Sequence, residues 1–508
     1  MSRTKNAIKI ILGSATLQIT IVICGLILPR FILEYYGSEV NGLVSSLKQF
    51  LTYFTVVSSG ISVASYSALY KPILEKDYDK INGILSATAI FFKKSAYIFS
   101  IFMMLLAVLY PLLVKSSIPK MQVIILIFIL SSGTLIDYII LSKYRVIANA
   151  DQKAFVESNI QAQGIVLNTV ISIILIKLGF SIISVQLVAT IVYLIRAFRL
   201  IKYVKKNYPF LNYKKDPDME SIKDRWSAFY YQIAGMIIGN TPIIILTLLC
   251  GLNDVSIYSV YNMVFVSLNM IVGIFSSGLA APFGNIIASG DKYGLNNSYN
   301  TYEFLFLFFS FLCYSCALIL INPFISIYTN NITTINYLIP FLGVMFVING
   351  ISRVIRIPAV TLVEASGKFK DNTNLNIIEA IINVILSVIF TIKFGIIGVL
   401  VGASIAALLR SVLYIFYVDK NILRRKSYKL FTVISINFVT MFLLYKIGFN
   451  KNINNFFEFF ILAFKVGIVS FIVLLTINSI MNIKAAKDLF LRSIAIINEK
   501  IINLRRKV

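Results

Sequence analysis

The residues able to do chemistry in this chain are few, and each of them sits in an apolar run long enough to cross a bilayer. Asp137 stands near the middle of one run, with Ser131, Ser132 and Thr134 one to two turns before it. A carboxyl in that setting takes up a proton or a coupling cation, or else balances a neighbouring cation. Lys48, Arg410 and Lys465 are the cations buried in other runs. A charge at mid-membrane costs about 3 kcal/mol, so each should face a cavity, a ligand or a partner. Lys48 is flanked by Ser45, Ser46 and Gln49, which marks a wet face; Lys465 has only Glu458 on its own helix, about two turns away and out of reach. Both suit an anionic ligand, with snorkelling to the headgroups as the alternative. Arg145, Arg353 and Arg356, at the inner ends of their runs, would form a cationic mouth or serve as ordinary cytoplasmic charges. Gln18, Gln232, Asn240, Asn262 and Asn269 either line a sugar-accepting cavity or bond across helices. Glu157 and Glu379 lie one turn inside helix N-termini, where an anion is favoured anyway, and read as weak sites.

Several kinds of chemistry are absent. The 508 residues include no histidine, so no His-containing zinc site, triad or imidazole relay can be written. The four cysteines all lie in apolar runs, and Cys313-x-x-Cys316 is one turn of an aromatic-rich span rather than a redox pair. No phosphate-binding glycine loop occurs. The chain is therefore expected to be no enzyme, with no cofactor and no metal.

A composition 58% hydrophobic and only 14% charged, with mean hydropathy +0.84, fits an all-α polytopic membrane protein and no soluble class. The net charge of +25 belongs on cytoplasmic loops rather than on nucleic acid. About fourteen spans are expected, near 8–28, 42–66, 93–114, 121–142, 156–176, 182–202, 229–250, 256–280, 301–322, 335–357, 375–393, 396–418, 430–447 and 457–480. With the N-terminus inside, 37 of the 47 Lys and Arg residues fall on the cytoplasmic side and seven outside, which places both termini in the cytoplasm of a bacterial inner membrane. The basic start and the run Ile8 to Leu28 read as an uncleaved first span.

The spans repeat. Lys153, Asn159, Asn168, Gly179 and Arg196 are followed 214 to 216 residues later by Lys368, Asn374, Asn383, Gly395 and Arg410; Gly37 and Gly60 are echoed by Gly251 and Gly278. The same offset sets Asp137 against Arg353, opposite charges at related places. Six helices per repeat give two copies of the same orientation, with substrate passing between them. The expected organisation is an N-terminal six-helix lobe (1–205), a basic cytoplasmic linker (206–225), a C-terminal six-helix lobe (226–420), an extra hairpin (421–480) and a basic amphipathic tail (481–508) that lies on anionic lipid.

Fourteen spans in this six, six and two plan, with Tyr144-Arg145 before Ala150-Asp151-Gln152-Lys153 and Arg356 before Glu364-Ala365-Ser366-Gly367-Lys368-Phe369, resemble the Wzx-type polysaccharide-unit flippases of the multidrug/oligosaccharidyl-lipid/polysaccharide exporter superfamily. The resemblance covers essentially the whole chain through loose loop signatures. It implies a MATE-like fold of two lobes around a V-shaped cavity, alternating access, and coupling to a proton or sodium gradient. It also implies a substrate, an undecaprenyl-diphosphate-linked oligosaccharide for capsule or O-antigen, and a glycan-polymerase complex as partner. Buried Lys48, Lys465 and Arg410 are what a diphosphate would need. The alternatives are a cation-coupled multidrug antiporter of the same fold and a non-transporting component of a glycan-assembly complex.

Overall fold

The computed structural model of the chain describes residues 3–222, 225–276, 279–333, 335–447, 453 and 455–489. Helix dominates them, and no strand occurs among the described residues. In chain order the helices are α1 (Arg3–Phe54), α2 (Val56–Glu75), α3 (Tyr78–Leu113), α4 (Lys120–Ile136), α5 (Ser142–Ala150), α6 (Ala154–Lys177), α7 (Ile182–Asn207), α8 (Arg225–Leu249), α9 (Leu252–Ile274), α10 (Ala280–Ala288), α11 (Lys292–Tyr328), α12 (Pro340–Val354), α13 (Ile357–Ala365), α14 (Phe369–Val418), α15 (Tyr428–Lys446) and α16 (Phe456–Met481). Lipid offers no partner for backbone N–H and C=O groups, so apolar runs of this length can only be helices.

Eleven helices among the described residues are long and apolar enough to cross a membrane. Two of these, α1 and α14, are each broken by a glycine in the left-handed region, Gly37 (φ 81°) and Gly395 (φ 57°). At Gly37 the chain reverses. Lys9 lies over the Phe155 ring near the start of α6, Phe31 lies under Lys177 at its end, and Tyr66 has returned to Asn149 beside α6's start. At Gly395 the reversal brings Gly402 against the backbone of Ser387. The loop expected around Phe31 to Val40 is thus one glycine between helical arms. With the shorter apolar helix Gly235–Leu249, this is compatible with the fourteen spans expected. Rows of exposed apolar side chains, such as Ile101, Leu105, Val108 and Leu112 on α3, face what must be lipid. The chain is a multi-pass membrane protein.

The internal repeat is written in the backbone. Nine described residues have positive φ, and eight of them form four pairs: Gly37 with Gly251, Lys76 with Gly290, Gln152 with Gly367 and Gly179 with Gly395, each separated by 214 to 216 residues. After the second pair, Asp77 accepts from the Lys80 backbone N–H (2.9 Å) and Asp291 from that of Gly294 (2.8 Å), so α3 and α11 start with the same cap. Each half also interrupts one span at a related place, by a π-helical turn at Asp137–Leu141 and by the break between α12 and α13. The Gly60 echo involves Gly278, which lies outside the described residues.

By packing, the chain forms two compact units. Unit 1 comprises residues 1–263, 331–335 and 391–399, and unit 2 comprises 264–330, 336–390 and 400–508. In unit 1 the start of α9 meets α1 closely. Asn41 donates to the Ser256 hydroxyl (2.8 Å), and a Cβ at Gly42 would stand 1.9 Å from the Leu252 carbonyl oxygen. The basic segment after α7 is anchored to α3. Buried Asn82 donates to the Phe210 carbonyl (3.0 Å) and accepts from the Asn212 N–H (2.8 Å), while the Asp218 N–H bonds the Gly83 carbonyl (3.0 Å). In unit 2, α11 packs along α12, α15 and α16. The tail expected on anionic lipid continues as helix through 483–489, and the rest of it lies outside the described residues.

Candidate functional site

Among the described residues each unit buries a cluster of charges within its spans at a place related by the repeat. In unit 1 the π-helical turn carries Asp137, whose carboxylate receives two bonds from the Arg145 guanidinium (2.6 and 3.2 Å), one from the Tyr193 hydroxyl (3.0 Å) and a longer one from Ser142 (3.3 Å). The fork-on-carboxylate geometry is the strongest form of this pair. The Arg145 Nε also meets Glu157 on α6, and Glu157 accepts from Asn149 (3.2 Å), so one guanidinium serves two carboxylates. Arg196 completes the group from α7. It lies over the Tyr193 ring at 5.1 Å, and its stem crosses Gly164 so closely that a Cβ there would be 2.1 Å from Cδ.

Unit 2 inverts the ratio. Glu379 on α14 has a fully buried side chain and accepts from Arg356 Nη1 (3.2 Å) and from Arg410 Nη1. Arg410 also stacks on Tyr414, 5.1 Å to the ring centre. Arg353 lies near enough to Arg356 for their charges to repel. Among the described residues one carboxylate therefore holds two guanidinium groups by ion pairs, whereas in unit 1 two carboxylates share one. Under the repeat Arg196 corresponds to Arg410 and Gly164 to Glu379, so the same two helices carry an arginine over a glycine in one half and over a glutamate in the other.

The remaining candidates divide by environment. Lys48 is exposed on the second arm of α1 and has no ion-pair partner among the described residues. Its neighbour Ser46 turns inward instead, accepting from Thr247 (2.8 Å) and Tyr110 (2.9 Å). Lys465 is exposed at the edge between the buried stripe Leu462, Val466, Ser470 and the outer face Phe464, Ile468 of α16. Its Cα stands about 13 Å along the helix from Phe456, beyond the reach of a lysine stem alone. Asn269 accepts from the Tyr314 hydroxyl (2.7 Å), a bond across helices. The Gln18 Oε1 is buried without a hydrogen-bond partner among the described residues. Asn240 and Asn262 are half-buried, and the side chain of Gln232 lies outside the described residues.

Of the two carboxylates set aside as weak, Glu379 is the centre of its cluster and Glu157 joins the other through Arg145. A third buried group had no sequence signal at all: Arg425, just before α15, bonds Glu303 (2.7 Å), Asp419 (2.7 Å) and Asn300 (2.6 Å). Burial alone would weaken the Arg425 charge, yet Glu303 and Asp419 beside it hold the guanidinium protonated more firmly than usual.

No protein-family model matches the sequence, and no curated protein sequence matches it. Solved structures do. A lipid II flippase, MurJ in an inward closed conformation, superposes with a TM-score of 0.68 at 19% identity, covering 94% of this chain and 100% of that one. An inward-facing multidrug resistance MATE transporter of the MOP superfamily gives 0.60 at 14% identity, with 78% of this chain and 93% of that one covered. The eukaryotic MATE transporter AtDTX14 gives 0.55 at 11%, with 82% and 96%. Its structural neighbours are a lipid flippase and multidrug transporters of the MOP superfamily, and theirs is the fold of this chain.

Proposed function

We propose that this chain is a flippase of the Wzx type, carrying an undecaprenyl-diphosphate-linked oligosaccharide from the cytoplasmic to the outer leaflet of a bacterial inner membrane by alternating access. The observation that carries this reading is the sign of the charge within the spans. Lys48 is a cation without a carboxylate partner among the described residues, and in unit 2 Arg356 and Arg410 both share Glu379. A diphosphate is the natural complement of such a surplus. A transporter of cationic drugs requires free acids at that depth, whereas Asp137, Glu157 and Glu379 are each engaged by an arginine. The likeness to a lipid II flippase along 94% of the chain points the same way.

Ion coupling falls to Asp137 on this reading, through Arg145. Because one guanidinium bridges Asp137 and Glu157, a proton or sodium ion taken up by either carboxylate loosens Arg145 and frees it to meet the anionic substrate. The polar groups Gln18, Asn240 and Asn269 then serve the sugars, and Lys465 the edge where the prenyl chain remains in lipid. Both termini lie in the cytoplasm, and the six-helix lobes 1–205 and 226–420 move against each other.

Reconstitution tests this. The transfer of a labelled prenyl-diphosphate oligosaccharide between leaflets is followed with and without a proton or sodium gradient. Gradient-stimulated transfer that is lost in Lys48→Ala supports the proposal. Efflux of a cationic dye without lipid transfer refutes it in favour of a multidrug antiporter, and neither activity with the cognate glycan leaves a non-transporting role in a glycan-assembly complex.

A further inference from the structure

At one end of unit 2, where α11 and α15 begin and α16 finishes, lies an open cavity of about 800 Å³. Arg425 forms its back wall, but its bonds to Glu303, Asp419 and Asn300 leave it committed. The rim carries Lys426, Lys429 and Lys484, all exposed and none with an ion-pair partner among the described residues. The Lys484 ammonium is held 5.6 Å above the Tyr293 ring. The floor is apolar, through Phe304, Leu307, Leu430 and Val433. Asn478, which also reaches the floor, spends its carboxamide in a reciprocal pair with Asn437 (2.8 and 2.9 Å) and presents no unmet polar group. Beyond the cavity, the outer faces of α15 and α16 expose Val439, Leu443, Ile472 and Ile480.

A cationic rim, an apolar floor and a lipid-facing flank together select an amphiphile with an anionic head. We propose that this cavity binds the phosphate head group of an anionic phospholipid in the adjoining leaflet, with the first segments of its acyl chains on the apolar floor. The chain's own C-terminal segment is the wrong occupant. Beyond residue 489 it carries Arg492, Lys500, Arg505, Arg506 and Lys507 against Glu499 alone, and the rim would repel it. Free phosphate would satisfy the lysines but leave the floor empty. By the sequence topology this end faces the cytoplasm, where anionic head groups attract basic clusters. The site is separate from the charge clusters of the spans and does not depend on what the chain transports.

The test uses the full chain, delipidated in a neutral detergent, with bound lipid counted by native mass spectrometry. Phosphatidylglycerol should bind at least tenfold tighter than phosphatidylcholine. Each lysine near a lipid phosphate is worth about fivefold in affinity, so K426Q/K429Q/K484Q should lose on the order of a hundredfold for phosphatidylglycerol and almost nothing for phosphatidylcholine. The control K93Q/K94Q, two exposed lysines of α3 in unit 1, should stay within a factor of about two. If the triple variant does not fold, Lys429→Gln alone should lose about fivefold. Equal binding of the two lipids, an unchanged variant, an equal loss in the control, or displacement of phosphatidylglycerol by millimolar inorganic phosphate would each overturn the proposal.

Discussion

Replacing Glu379 by Gln should cost far more stability than the same exchange at Glu157. The Glu379 side chain is fully buried and is the acid to which both Arg356 and Arg410 bond, their side chains 11% and 12% exposed. Neutralising it leaves two guanidinium groups buried with no counter-charge among the described residues. Removing one partner of a buried pair costs about 3–5 kcal/mol. At Glu157 the geometry differs, because Arg145 keeps both oxygens of Asp137 after Glu157 becomes Gln. There the loss should be only about 1 kcal/mol, the worth of one hydrogen bond. Arg410→Met removes the surplus cation and leaves Glu379 with Arg356, so it should cost less than Glu379→Gln. In the double variant Glu379→Gln/Arg410→Met the two effects should fall short of their sum by about 1–3 kcal/mol, as expected of groups in one network. Denaturation midpoints in mixed micelles at fixed protein and detergent provide the measurement. Equal losses for Glu379→Gln and Glu157→Gln, or strict additivity in the double variant, would show that Glu379 does not balance the two arginines.

Three further outcomes follow from the packing. Gly42→Ala should lower stability by about 1–3 kcal/mol, since its Cβ would press on the Leu252 backbone oxygen and neither helix can yield by a side-chain rotation; a denaturation midpoint unchanged from wild type would count against that close approach. Gly164→Ala should be milder, because the atoms in its way belong to the flexible stem of Arg196, but the displaced guanidinium should reduce transport in the reconstituted assay more than it reduces stability. Burial raises the carboxyl of Asp218, yet the two bonds from Ser221 outweigh it and hold the group below its ordinary 3.8. A depressed carboxyl contributes stability that is present above its unfolded value and is lost as pH falls through the folded one. The segment 208–222 should therefore stay protected at pH 5 and above, and loosen from α3 below about pH 4, as read by limited proteolysis, whereas in Asp218→Asn the acid-dependent step should shrink to what the Asp79–Lys215 pair and the Tyr208–Asp151 bond contribute.

The fold was legible because its determinants are local or periodic. Runs such as 301–322 and 457–480 are long enough to be spans by length alone, and the echoes at Gly37, Gly179 and Lys153 recur at one offset. The charge clusters were legible only as separate residues, since pairing depends on depth in the bilayer and on which helices adjoin. One of them could have been read further. Glu379 and Arg410 stand 16 and 15 residues on either side of Gly395, so a hairpin there must set them at the same depth. Asp137 and Arg145 offered no such cue. They are eight residues apart, beyond direct reach in a regular helix, and they meet across a π-helical turn that shifts the register between them. Arg425 and Asp419 flank the turn between α14 and α15 while Glu303 lies about three turns into α11, and they had no shared pattern to reveal them.

The paired left-handed residues make each half of the molecule a template for the other. Lys76 and Gln152 hold positive φ where their counterparts are Gly290 and Gly367. A side chain in that conformation carries a steric penalty of about 1 kcal/mol that glycine escapes. The second half thus shows, inside one polypeptide, which residue the first half's backbone would accept at those turns. Lys76→Gly and Gln152→Gly are rational stabilising exchanges for a protein that must be handled in detergent. The two halves keep the same turn geometry at these helix ends with different residues on them, so the backbone there is set by the fold rather than by one particular side chain.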